Sequence, residues 1–279
     1  MTGGISGRTQ VVGVVGRPVD HSLSPTLHNA WIAAAGIDAV YVAFAPAADG
    51  LARFVEGLRG GALRGLNITA PFKEAALAAA DRASHRAAAA GAANLLIFEA
   101  DGSIGADNTD GEGLMAALAE QAPGFDPAAG PLTLLGAGGA ARAAAAAFLA
   151  AGAPAVRVVN RSAARAEALV ALLGPKVTAR TWEEAAATVG EANAIVNATP
   201  GDPGLSLEGA ATAATVVDMV YQPLDTALLR QARSRGLRVV DGLAMLIGQA
   251  RPSFTLLFGR PPPAVDVRRL ALAALEGDR

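Results

Sequence analysis

Short runs of β-branched and leucine residues alternate along this chain with longer stretches rich in alanine and leucine, the alternation expected of parallel α/β units. Gln10–Gly16 reads as a buried strand, Pro25–Ala35 as a helix stopped by Gly36, and Ala39–Phe44 as a second strand. A helix over Asp49–Leu58, a strand at Leu63–Ile68 and a helix from Pro71 to about Ala80 follow. Ala92–Glu99 is expected to be extended, with Asp101-Gly102 as a hairpin turn returning the chain through Ile104. Gly111–Glu120 reads as a connecting helix, and the Pro- and Gly-containing segment Gln121–Pro131 as a linker. Strands at Leu132–Leu135, Arg157–Asn160, Ala194–Asn197, Thr215–Asp218 and Arg238–Asp241 then alternate with helices. From Gly242 the chain turns helical, with Pro261-Pro262-Pro263 punctuating the last two helices, which could pack on either half.

Composition narrows what this α/β chain can be. Its 279 residues suggest about two domains, and 52% apolar with 17% charged residues supplies a core for both. No fixed period of 20–50 residues is found, so the alanine content reads as compositional bias rather than repeats. A net charge of -2, with 23 basic residues scattered along the chain, provides no field for nucleic acid. The apolar stretch between Arg142 and Arg157 is broken by Gly152 and Pro154 and falls short of the ~20 residues needed to span a bilayer, so no membrane partner is expected. Met1 to Arg8 has neither a basic region nor a continuous apolar run, which argues against secretion and for a cytoplasmic location. The absence of cysteine excludes disulfides and thiolate metal sites, while His21 and His28, seven apart, and His85 lack the neighbouring acids of a metal site, so no metal is assigned.

The richest segment is Leu132-Thr-Leu-Leu-Gly136-Ala137-Gly138-Gly139-Ala140-Ala141-Arg142, followed by Val156-Arg-Val-Val-Asn160-Arg161-Ser162 and a helical stretch carrying Arg165. An apolar run ending in a glycine-rich turn that opens a helix is the arrangement that binds a dinucleotide. Gly136 permits the tight turn, Gly138 lets backbone approach a pyrophosphate, and Ala141 stands where a third small residue keeps helix and strand close. Helix N-terminal amides then face the phosphates. An acid at the end of the second strand would bind a ribose 2′-hydroxyl. Arg161 and Arg165 stand there instead, forked donors suited to a 2′-phosphate, so the expected cofactor is NADP.

Six further motifs occur in order: Gly16-Arg-Pro-Val-Asp-His21-Ser22-Leu-Ser24-Pro25-Thr-Leu-His28-Asn29, Asn67-Ile-Thr69-Ala-Pro71-Phe-Lys73, Asp107-Asn108-Thr109-Asp110-Gly111, Asn197-Ala-Thr199-Pro200, Asp218-Met219-Val-Tyr221 and Asp241-Gly242-Leu-Ala-Met245-Leu-Ile-Gly-Gln249-Ala250. Over nearly its whole length the chain resembles the shikimate dehydrogenase family. The resemblance implies an N-terminal α/β substrate domain at 1–110, a Rossmann-type NADP domain at 111–241, and C-terminal helices, 242–279, returning to the substrate domain. The implied activity is reversible reduction of 3-dehydroshikimate to shikimate by NADPH, in a monomer or homodimer.

A polyhydroxylated ring acid needs hydroxyls for its carboxylate, amides and carboxylates for its ring hydroxyls, and a proton carrier at the reacting carbon. Ser22 and Ser24 would face the same way if extended, and the matching family serines bind the substrate carboxylate; a serine before Pro25 also suits a helix cap. Lys73 falls in the first turn of a predicted helix, at the positive end of its dipole, and Asp110 opens another helix, where an anion is a favourable cap. In the family the matching lysine and aspartate form the catalytic dyad. Asn67, Thr69, Asn94 and Gln249 match positions that bind ring hydroxyls or the carboxylate, and Tyr221 matches a tyrosine that closes the site. Met219 and Gly242 match positions lining the nicotinamide, with Thr199 in a further cofactor motif.

The chain also departs from the family. Ala92-Ala93-Asn94-Leu95 replaces the usual Ala-Val-Asn-Thr, exchanging a hydroxyl for an isobutyl group, and Ala70 and His85 stand where bulkier and acidic residues are commoner. Relatives acting on quinate or aminoshikimate share the same skeleton, and a non-catalytic NADP-binding regulatory protein would keep it too.

Overall fold

A computed structural model describes residues 4–61 and 63–277; of the segment read for a leader, positions 1–3 lie outside it. The first half runs β1 (Gln10–Val15), α1 (Ser24–Ala34), β2 (Ala39–Phe44), α2 (Leu51–Glu56), β3 (Leu63–Ile68), α3 (Lys73–Ala78), β4 (Arg82–Ala83), α4 (His85–Ala90), β5 (Leu95–Phe98) and β6 (Ile104–Asp107). The second half runs α5 (Asp110–Gln121), β7 (Leu132–Leu135), α6 (Gly139–Ala150), β8 (Val156–Val159), α7 (Ala163–Leu173), β9 (Val177–Arg180), α8 (Ala185–Gly190), β10 (Ala194–Asn197), β11 (Thr215–Asp218), α9 (Ala227–Ser234), β12 (Arg238–Val240), α10 (Gly242–Phe258) and α11 (Val267–Gly277). Two compact units result, residues 1–109 with 249–279, and residues 110–248. No helix among the described residues is long and apolar enough to cross a membrane.

The first unit holds a six-stranded sheet in the order β2-β1-β3-β5-β6-β4. β2, β1 and β3 run parallel, and β5 turns antiparallel against both β3 and β6. The predicted hairpin is present: Glu99 N–H donates to Ser103 O at 2.9 Å, and Gly102 adopts φ +83°. One face of the sheet packs Val15, Leu66, Ile68, Leu96 and Ile104 against Leu51, Val55, Phe72 and Ala76, all nearly inaccessible.

The second unit is a fully parallel sheet in the order β12-β11-β10-β7-β8-β9. Read from β9, this is the 3-2-1-4-5-6 order of a Rossmann fold, with the reversal between β7 and β10. Such strands are covered on both faces, which explains why they read as unbroken apolar runs rather than alternating ones. On one face, Ala141, Ala144, Ala145 and Phe148 of α6 join Leu134, Val158 and Val196. On the other, Leu135, Val159, Ile195 and Val216 meet Val189, Leu228 and Leu229. Alanine gives α6 high helix propensity and allows close approach: a Cβ on Gly111 would lie 2.8 Å from Ala147 Cβ, so α5 and α6 touch nearly backbone to backbone.

Several expected boundaries shift. α3 is six residues long rather than spanning Pro71 to Ala80, because Phe72 becomes its N-cap and Ala79 its C-cap. α2 similarly starts and ends inside its predicted span, at Leu51 and Glu56. β5 is confined to Leu95–Phe98, and β8 and β12 end one residue before their predicted limits. The linker contains a 3-10 turn, Pro127–Ala129, capped by Asp126.

Candidate functional site

In the second unit, chemistry gathers at the carboxyl ends of the strands flanking the sheet's reversal. Gly136 ends β7 with φ +104°, and a Cβ there would sit 3.2 Å from Ala198 backbone atoms and Thr199 Cγ2. Only glycine combines that left-handed conformation with so close an approach. Beyond it Ala137 is buried, and Gly138, the N-cap of α6, offers no side-chain bond to the first helical amides of Gly139 and Ala140. Those donors are the ones an anion would satisfy.

Asn197 organises the adjoining loops. Its Oδ1 accepts from Thr199 N–H at 3.0 Å and Thr199 Oγ1 at 2.6 Å, and its Nδ2 donates to Asp218 Oδ1 at 2.9 Å. Burial pushes the Asp218 carboxyl above its ordinary range, against the hydrogen bonds that Val220 N–H and Asn197 Nδ2 donate to it. Met219 follows with its amide bonded to Asn197 O, and a Cβ on Gly242 would overlap the carbonyls of Met219 and Val220. Met219 and Gly242 are thus adjacent, while Tyr221 is half-buried just beyond.

At the end of β8, Asn160 Nδ2 donates to Ser162 O at 2.9 Å, and Ser162 Oγ caps α7 by accepting from Arg165 N–H at 3.5 Å. Arg161 and Arg165 are exposed. The Arg161 guanidinium lies 5.8 Å from the centre of the Trp182 ring. Asn160 and Arg161 also line a cavity of about 520 Å³ whose far wall is the 179–184 segment.

In the first unit, buried polar groups form a connected network. Tyr41 Oη donates to Asn67 Oδ1 at 2.9 Å, and Asn67 Nδ2 donates to Ser253 Oγ at 2.9 Å. The Ser253 hydroxyl lies 3.0 Å from Thr109 Oγ1, Thr109 N–H donates to Asn94 Oδ1 at 2.8 Å, and Asn94 Nδ2 donates to Gln249 Oε1 at 3.2 Å. Burial drives the pKa of the Tyr41 phenol upward, and the neighbouring Ser24 hydroxyl opposes that shift. Ser24, Asn67, Asn94 and Gln249 therefore come together, joined by Tyr41, Thr109 and Ser253, which the sequence reading did not assign. Buried amides held this way are fixed in orientation, since an unmet partner would carry a desolvation cost.

The two serines do not sit on an extended segment. Leu23 between them is helical, at φ -82° and ψ -6°, and is itself the N-cap of α1, without a side-chain bond. Ser24 is thus the first residue of α1 rather than its cap, and Ser22 Oγ accepts from Ser24 N–H at 3.3 Å. Thr69 closes against the same loop: its amide donates to Val15 O at 2.8 Å, and a Cβ on Gly16 would overlap Thr69 Cγ2. Lys73 opens α3 half-buried, and its carbonyl accepts from Ala93 N–H at 2.8 Å, tying the lysine's backbone to the residue before Asn94.

Asp107 braces the loop that leads to Asp110. Burial alone would raise its carboxyl pKa, but Arg86, the Ser84 hydroxyl and the Asn108 amide together hold it below the usual carboxylate range. The Ser84 bond is 2.6 Å and the Arg86 Nη2 contact 2.7 Å. Asp110 itself opens α5 as the first residue of the second unit, 4% exposed.

A family description for the shikimate dehydrogenase substrate binding domain matches residues 14–96, and one for shikimate / quinate 5-dehydrogenase matches residues 118–215. The shikimate dehydrogenase (NADP(+)) of Caulobacter vibrioides is 56% identical, over 99% of each chain. Among solved structures, shikimate 5-dehydrogenase from Thermus thermophilus in complex with NADP(H) and shikimate aligns at a TM-score of 0.82 and 37% identity, covering 95% of this chain and 99% of its own. The quinate dehydrogenase from Corynebacterium glutamicum in complex with NAD aligns at 0.84 and 30%, covering 96% and 99%. Matches on both halves, at such identity over full length, join a parallel sheet whose order reverses beside a glycine turn, and the chain belongs to the shikimate dehydrogenase family.

Proposed function

We propose that this protein is an NADP-dependent oxidoreductase that interconverts 3-dehydroshikimate and shikimate, working in the cytoplasm as a monomer or homodimer. The observation that carries this reading is the end of β8, where two exposed arginines, and no acid, occupy the place that selects between ribose 2′-substituents. Gly136 to Ala140 and the open start of α6 would hold the pyrophosphate, with Asn160, Arg161, Ser162 and Arg165 at the 2′-phosphate. Thr199, Met219 and Gly242 would line the nicotinamide end. NADPH supplies the hydride.

The protein's own residues do the rest. Ser22 and Ser24 bind the substrate carboxylate. Asn67, Thr69, Asn94 and Gln249 bind the ring hydroxyls and hold the ring in one orientation, and Tyr221 closes over it. Lys73 and Asp110 handle the proton at the oxygen of the reacting carbon, which becomes a hydroxyl on reduction. This assigns the first unit to substrate and the second to cofactor.

A second reading, a related ring acid as preferred substrate, is favoured by Leu95. It pairs directly with Asn67 across β3 and β5, so both side chains lie on one face of the sheet, and an isobutyl group stands beside the amide network. The test is NADPH or NADH formation, followed by absorbance, with shikimate, quinate and aminoshikimate, each offered with NADP and with NAD. Shikimate with NADP should be the fastest pair, and Lys73→Ala should lower kcat by about 10²–10⁴-fold with little change in KM. Preference for quinate or aminoshikimate would establish the second reading. No turnover of any ring acid would end both.

A further inference from the structure

We propose that Trp182 is a positioning residue for cofactor selection: its indole face holds the Arg161 guanidinium in place, so that a 2′-phosphate meets a donor already set. This rests on the NADP reading of the β8 end and adds a part that lies outside the glycine turn and the Asn-Arg-Ser segment.

Arg161 is exposed, and arginine is among the side chains with most rotamer freedom to lose. Among the described residues no hydrogen bond or ion pair fixes its guanidinium; its one defined contact is the Trp182 ring at 5.8 Å, within the range of cation–π attraction. Trp182 is itself anchored. It is half-buried against the cluster of Leu135, Val159, Val189 and Leu229. Its segment is closed by Thr181 N–H donating to Glu184 Oε2 at 2.7 Å and Ala185 N–H donating to Trp182 O at 3.2 Å. The indole is therefore an anchored platform under a cation that no other described contact holds. The same cavity is lined by Glu167, Glu183 and Glu184. A guanidinium released from the indole has carboxylates to turn to, and each such ion pair competes with a phosphate. Among the described residues Arg165 has no aromatic support, so the device acts on Arg161.

The experiment measures binding of 2′,5′-ADP and of 5′-ADP by calorimetry, so that the 2′-phosphate is the one difference between probes. Trp182→Ala should weaken 2′,5′-ADP about two- to fivefold and leave 5′-ADP unchanged, and Trp182→Phe, which keeps an aromatic face, should recover most of the loss. In an Arg161→Ala background Trp182→Ala should have no further effect, whereas in an Arg165→Ala background its effect should persist. Equal weakening of both probes, or an undiminished effect without Arg161, would mark Trp182 as merely structural and overturn the proposal. Failure of the NADP reading looks different: Arg161→Ala would then leave the ratio of the two affinities untouched.

Discussion

His28 shows how much a single side chain can reveal about the first unit. It is completely buried, stacked on Tyr41 at 4.3 Å and edge-on to Trp31 at 5.6 Å, and neither ring nitrogen has a hydrogen-bond partner among the described residues. Burial lowers its pKa to about 3, so it is neutral in the folded state. The unfolded chain takes up a proton near pH 6.5 while the folded one does not. Stability is therefore complete above that value and falls as pH drops from about 6.5 toward 3, by about 2 kcal/mol at pH 5. His28→Phe should remove that part of the acid-side loss. Denaturant unfolding at pH 7 and pH 5 measures it, and an unchanged pH dependence in the variant would contradict the assignment. Sequence disclosed little of this. Three histidines scattered along the sequence are weak grounds for a metal site, yet nothing local tells a surface histidine from one walled in by residues distant along the chain. The same holds for Tyr41, Thr109 and Ser253, whose partners lie up to 186 positions off. The residues of the glycine turn, in contrast, were legible because the physics that selects them acts over a few adjacent positions.

Among elements, long apolar strands could be read directly, since strands covered on both faces leave continuous Val, Ile and Leu runs. β4, α4, β9 and α8 were not individually resolved. β4 is two exposed residues, and β9 is a short edge strand, Val-Thr-Ala-Arg, with three of its four positions half-buried. α4 is almost pure alanine after His85 and Arg86, without periodicity to detect, although Ser84 caps its start and Gly91, at φ +58°, ends it. That serine–glycine bracket is the signal by which it could have been found. Element packing also yields a mutational test. A Cβ on Gly248 of α10 would stand 2.6 Å from Gly113 O on α5, with only backbone atoms to yield. Gly248→Ala should cost about 1–3 kcal/mol in urea unfolding. It should also raise the substrate KM, because Gln249 is the next residue along α10. A variant as stable as the parent would show that α5 and α10 are less closely packed than described.

For the whole molecule, the proposed cofactor should make its binding visible as stability. NADP at about 100 times its Kd should stabilise the fold by about 2.7 kcal/mol, a thermal shift that NAD at the same concentration should not match. Equal shifts in a melting scan would count against the two arginines as selectors. The path of the chain has an effect of its own. The first unit is assembled from residues 1–109 and 249–279, with α11 packed on α1, whereas the second occupies one uninterrupted stretch. On a ribosome the sheet made first of the two must therefore wait, its helix α1 lacking the cover of α11, until residues 267–277 emerge, while the Rossmann sheet made after it already has everything it requires. The order of completion is the reverse of the order of synthesis.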